Sequence, residues 1–174
     1  MPEALPGALT LPLDIIKNEH QSNIEFDHIF IDSGTGMMAC AIVLAFAWLK
    51  KTTKIHVVLM AEGESEFMET LSTLQAQFES LLGIQMKWPS VKENLKLYHP
   101  NVGRSFGATN KTIFEEIGHI ARTEGFLTDP LYSVKLFLTA RNIIASEAIK
   151  ENCLLIHSGG GLTLMGFQEQ LSSL

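Results

Sequence analysis

Two short turns carry the residues best suited to chemistry, Ser33-Gly34-Thr35-Gly36 and Ser158-Gly159-Gly160-Gly161. Each follows an apolar run of strand character and leads into a segment of helical character. Backbone N–H groups at a helix start favour an anion such as phosphate, and glycine lets that backbone come close. The Ser and Thr hydroxyls add donors. The same residues also serve a tight bend that needs glycine for packing, and the turns alone leave both readings open. Neither GxGxxG after the first strand nor GxxxxGK[ST] is present, which argues against a dinucleotide or P-loop site. No serine elbow of GxSxG type occurs.

The six histidines (20, 28, 56, 99, 119 and 157) show no metal-ligand spacing, and no metal site is expected. His28, His56 and His119 read as structural or surface residues. His157, at the end of an apolar run beside a glycine turn, is the better candidate for lining a site. Glu62, Glu64, Glu66 and Glu69 surround a helix start, where negative charge is favourable and solvated. Glu115-Glu116 reads as a solvated helix face.

These residues need a scaffold to position them. Strand character falls at 28–32, 55–60 and 154–157, with a short strand at 84–88 or 95–98. Helical character falls at 37–49, 67–82, 110–124 and 133–150, and again after Gly161. The 67–82 segment spaces Phe67, Leu71, Leu74, Phe78 and Leu81 along one helical face. Segment 4–20 also reads as helical, with Pro6 and Pro12 at a helix start or a kink. Strands alternate with helices, and near-continuous apolar strands argue for a parallel sheet covered on both faces. The expected fold is a three-layer α/β/α arrangement with a mainly parallel sheet, in one domain over 1–174.

Composition narrows the function classes. The 174 residues are 46% hydrophobic and 18% charged, which excludes a disordered chain. A net charge of −6 argues against broad attraction to nucleic acid or anionic membrane. The longest apolar run, Met37 to Leu49, is short of the roughly twenty residues that span a bilayer. Cys40 and Cys153 form no CxxC or CxxH pair and read as buried free thiols of a cytoplasmic protein.

Taken in order, four segments resemble one family: Asp32-Ser33-Gly34-Thr35-Gly36, then Phe106-Gly107-Ala108-Thr109-Asn110, then Glu124-Gly125 through Asp129-Pro130-Leu131-Tyr132-Ser133-Val134-Lys135, and last Ile156-His157-Ser158-Gly159-Gly160. They are similar to the C-terminal half of the D-cysteine desulfhydrase and 1-aminocyclopropane-1-carboxylate deaminase family. Its members are pyridoxal-phosphate (PLP) enzymes of the tryptophan-synthase β-like fold. The resemblance implies that Ser33, Gly34, Thr35 and Gly36 cradle the cofactor phosphate. It implies that Ser158 lies near the pyridine nitrogen, with Gly159 and Gly160 closing the pocket. Tyr132 is then the tyrosine over the cofactor, and Phe106 and Asn110 belong to the substrate loop.

Departures accompany the matches. The family's phosphate turn continues with glycine and threonine, where this chain has Met37 and Met38. Phe106 stands for an aromatic hydroxyl, Thr109 for a proline, Ser133 for an acidic residue of some deaminases, and Val134 for a glycine. The resemblance places the Schiff-base lysine in the N-terminal half of the family fold, and none of this chain's lysines sits in that motif. The chain is therefore expected to be a truncated or degenerate family domain, inactive alone, that self-associates or binds another protein. The alternatives are half of a split PLP enzyme acting with a lysine-bearing N-terminal half, and a small phosphate-ligand binder.

Overall fold

The structure, a computed structural model, describes residues 2–172. After a 3-10 turn at Pro2–Ala4, the elements run α1 (Leu5–Ala8), α2 (Thr10–Ser22), β1 (His28–Ser33), α3 (Met37–Trp48), β2 (Lys54–Leu59), α4 (Glu64–Leu82), α5 (Trp88–Lys92), β3 (Leu95–Tyr98), α6 (Lys111–Glu124), α7 (Ser133–Ser146) and β4 (Cys153–Leu155). A 3-10 segment, Gly161–Phe167, leads into α8 (Gln168–Ser172). Pro6 and Pro12 fall in the first turns of α1 and α2, where no N–H donor is needed. Of the two sites for the third strand, 95–98 is the one used, and Trp88 instead opens α5. Helix α7 stops at Ser146, four residues before the expected end, and Ala148 just beyond it has a positive φ.

The four strands are all parallel, in the order β3-β2-β1-β4. Alternate side chains feed two cores, as the strand period of two requires. Ile29, Ile31, Ile55, Val57 and Leu59 join residues of α1 to α5 on one face. Phe30, Val58 and Met60 meet Leu136, Ala140 and Ile143 of α7 on the other. This is the three-layer α/β/α arrangement expected from the sequence. Helix α3 lies between the sheet and α2, α4 and α5, so Ala39 to Phe46 are buried on every side. Helix α4 buries Phe67, Leu71, Leu74 and Phe78 as its spacing predicts, but Leu81 is exposed. Among the described residues, no helix is long and apolar enough to cross a membrane.

The chain steps outward from β1 to β2 and β3, then returns to the far side of β1 as β4. The winding direction therefore reverses between β1 and β4. In open α/β sheets, the crevice outside the carboxyl ends of the strands at such a point is where ligands bind.

Candidate functional site

A pocket of about 320 Å³ opens at this point. Its walls come from the end of β1 and the turn after it (Ile31 to Gly36), the start of α3 (Met37 to Ala39), the segment after β4 (Ile156, His157, Ser158) and Leu11. The two turns singled out in the sequence are thus brought together, over 120 residues apart in the chain. Tyr132 touches the same turn from outside the lining. A Cβ built on Gly34 would come 3.2 Å from Tyr132 Cε1 and 3.6 Å from its hydroxyl. A side chain at position 34 would therefore have to push the phenol ring aside by a few tenths of an ångström.

Asp129 fixes Tyr132. It is fully buried, and its Oδ1 accepts the backbone N–H groups of Leu131 and Tyr132, each at 2.8 Å. Its Oδ2 accepts the Ser133 N–H at 2.8 Å and the Ser133 hydroxyl at 2.6 Å. The carboxylate thus satisfies the donors that open α7. Gly160 has φ +85°, and a Cβ there would lie 2.7 Å from Asp129 Cγ. His157 locks the neighbouring turn, with Nε2 2.8 Å from the Leu127 carbonyl and Nδ1 accepting the Gly159 N–H at 3.1 Å.

The remaining sequence candidates lie outside the pocket lining. Phe106 packs edge-on against Tyr132, with ring centroids 6.0 Å apart. Asn110 caps α6, its Oδ1 accepting the Ile113 N–H at 3.0 Å. Lys135 is buried, donates to the Gly103 carbonyl at 2.7 Å, and so holds the loop before Phe106; burial lowers its pKa. No group of three or more metal-ligating side chains occurs among the described residues.

Two carboxylates dominate the electrostatics. Asp32 lines the pocket, and its Oδ1 is buried without a hydrogen-bond partner. Burial raises its pKa, the nearby Ser158 side chain opposes that rise, Asp129 adds to it, and His157 opposes it. Glu62 is a residue that sequence reasoning misassigned. Glu66 does cap the start of α4, accepting the Gly63 N–H at 2.9 Å. Glu62 is not part of that solvated turn. Its carboxylate folds back and accepts a short hydrogen bond from the Ser33 hydroxyl. Burial raises the Glu62 pKa, and the Ser33 bond opposes the rise. A Cβ built on Gly36 would lie 3.6 Å from Glu62 Oε1, so this carboxylate borders the turn itself. The signal lay in the parallel register, where Ser33 pairs with Leu59 and brings the loop after β2 beside the loop after β1.

A phosphate needs the opposite environment. The first turn of α3 has no side-chain cap, so its N–H groups and dipole favour an anion. That attraction is worth about 0.3–1 kcal/mol, rising to about 2 in partly buried sites. Unit like charges about 5 Å apart repel by about 3 kcal/mol at an effective dielectric of about 20. The pocket lining contains no Lys or Arg to offset this. Of the hydroxyls on the two turns, Ser33 is engaged by Glu62, and Ser158 faces the Asp32 carboxyl. The side chains present do not fit a phosphate-bearing group.

The family model described as "Pyridoxal-phosphate dependent enzyme" matches residues 4–159. The D-cysteine desulfhydrase of Serratia proteamaculans is 22% identical over 167 residues, which are 95% of this chain and 49% of that protein. The 1-aminocyclopropane-1-carboxylate deaminase of Cyberlindnera saturnus is 22% identical over 156 residues, or 88% of this chain and 45% of that one. A crystal structure of an ACC deaminase homologue superposes with a TM-score of 0.83 at 22% identity, over 99% of this chain and 50% of the other. That likeness shows the fold. The chain spans about half the length of the curated relatives it matches. With most of its residues inside the family match and its sheet, helices and switch-point pocket in the family's arrangement, the chain belongs to the family of pyridoxal-phosphate dependent enzymes.

Proposed function

We propose that this chain is a degenerate domain of the family that is inactive alone and works by pairing with a second copy of itself. One observation carries the reading. Exposed apolar side chains stand on the segments that carry or contact the two turns: Met38, Phe106, Phe126, Leu127, Leu162 and Met165. Leu162 is 83% exposed and Met165 68% exposed. They come from four separate segments. Met38 lies in the first turn of α3, and Phe106 packs on Tyr132. Phe126 and Leu127 contact His157 after β4, and Leu162 and Met165 follow the second turn; we read them as one apolar face. Apolar patches of this kind mark interaction sites, and an apolar patch is complementary to itself across a two-fold axis.

Sedimentation velocity over an about hundredfold concentration range tests the reading. The expected result is a concentration-dependent rise in mass that Leu162→Glu with Met165→Glu abolishes. A monomer at every concentration overturns it.

A second reading rests on Tyr132. Its ring is held against Gly34 by the Asp129 network, although a free apolar face has no need of an ordered tyrosine. This favours half of a split PLP enzyme, in which Tyr132 acts on a small amino acid once a lysine-bearing half is bound. PLP supplies an electron sink for β-elimination or deamination when a complete site holds it.

A further inference from the structure

We infer that Glu62 and Asp32 close the Ser33–Gly36 turn to phosphate, and with it to the family's cofactor. The inference deepens the reading of an inactive domain but turns on Glu62 and Asp32, neither of which belongs to the apolar face that carries association. Four observations converge. The Ser33 hydroxyl, the first donor of the turn, is spent on Glu62. Ser158, on the facing turn, acts to lower the Asp32 pKa against its burial and so favours the charged carboxylate. Asp32 directs a buried, unpartnered carboxyl oxygen at the floor between the two turns, where it lines the pocket. No Lys or Arg lines the pocket, His157 there is held by the Leu127 carbonyl and the Gly159 N–H, and Met37 and Met38 bring thioethers rather than donors to the head of α3.

The two acids act differently. Glu62 stands beside Gly36 and opposes negative charge at the helix start while occupying the turn's hydroxyl. Asp32 stands near the carboxyl end of β1 and brings a buried, unpartnered carboxyl oxygen to the pocket wall. An anion entering here would have to break the Ser33–Glu62 hydrogen bond and sit against both carboxyls. The backbone N–H groups of α3 and neutral hydroxyls such as that of Thr35 are then the main attraction left, and they do not overcome two nearby carboxylates.

Amide NMR on the intact chain tests this with inorganic phosphate as the probe. Phosphate carries no aldehyde, so it reports the turn without reaction at surface lysines. In the native chain, the amides of residues 34–38 are expected not to shift saturably. In Glu62→Gln with Asp32→Asn and Met38→Thr, they are expected to shift saturably, with affinity improved about tenfold or more. Glu62→Gln alone retains an acceptor for the Ser33 hydroxyl at a half-exposed position. It guards against a misfolded triple variant, and it is expected to show a measurable part of the gain. Saturable shifts at 34–38 in the native chain overturn the inference. So does a folded Glu62→Gln or triple variant whose turn remains unresponsive. Neither outcome bears on the mass of the chain, so the inference and the association reading fail separately.

Discussion

Asp129 shows how much one buried carboxylate can organise. It receives three backbone N–H groups and a hydroxyl, starts α7, and sets Tyr132 against Gly34. On the other side it fills the space a side chain at position 160 would need. Asp129→Ala leaves those donors in a site with no room for several waters. We expect a loss of about 2–4 kcal/mol, read as a fall in the urea midpoint with an unchanged slope. A change below about 0.5 kcal/mol would show that water replaces the carboxylate. The glycines at 34 and 160 were legible in the sequence as turn formers, but the reason for each was not. Tyr132 crowds a larger residue at 34 and Asp129 excludes one at 160, and both arrive from about 30 to 100 residues away along the chain. Glu62 was misread for the same reason. Its neighbours in sequence made it look like part of a solvated helix start, whereas its hydrogen-bond partner lies on the adjacent strand.

At the scale of elements, apolar runs and glycine stops located three strands and the main helices, and left β3 open between 84–88 and 95–98. The sheet order was not legible, because nothing local in β4 says that it returns to the far side of β1. Nor was the polar seam under α7. His28 and His56 lie fully buried on β1 and β2, with His28 Nδ1 2.9 Å from His56 Nε2. His56 Nδ1 then meets the Tyr98 hydroxyl of β3 at 3.1 Å. Glu147, just past α7, accepts from Tyr98 at 3.4 Å and from Lys96 at 3.0 Å. Burial lowers the pKa of both histidines. His28 and Lys96 help bring His56 to about 4, while Glu147 opposes them, and Lys54 lowers His28 against the pull of Glu151 and Asp27. The folded state therefore holds the rings neutral, while the unfolded chain protonates them near pH 6.5. Stability from this source is complete above that pH and drains away as pH falls through the folded value. For His56 the loss amounts to about 3 kcal/mol by the time the pH reaches about 4. Urea midpoints at neutral pH and at about pH 4 measure it. His56→Phe should start from a lower midpoint at neutral pH, because it removes both hydrogen bonds, and fall less on acidification. An equal fall in both proteins would move the acid sensitivity to another group.

At the scale of the whole molecule, the chain matches about half of each relative and yet builds a sheet with covered faces and a defined pocket. The two readings of its function diverge over what the mouth of that pocket meets. If it meets a second copy, the ordered Tyr132 is a packing element beneath an apolar rim. If it meets a lysine-bearing half, Tyr132 faces a bound amino acid. Mixing separates them: the chain is combined with the amino-terminal half of the Serratia D-cysteine desulfhydrase and supplied with PLP and D-cysteine. The carboxylates of Asp32 and Glu62 predict no turnover above that of the separate parts, since the cofactor phosphate would meet them at the same turn. Turnover that falls in Tyr132→Phe while cofactor retention is unchanged would instead assign Tyr132 to the reaction. It would also mean that the partner half supplies enough positive charge to hold the phosphate despite both acids. Turnover that is indifferent to Tyr132→Phe would return the tyrosine to packing, leaving the Asp129 network as a device of stability alone.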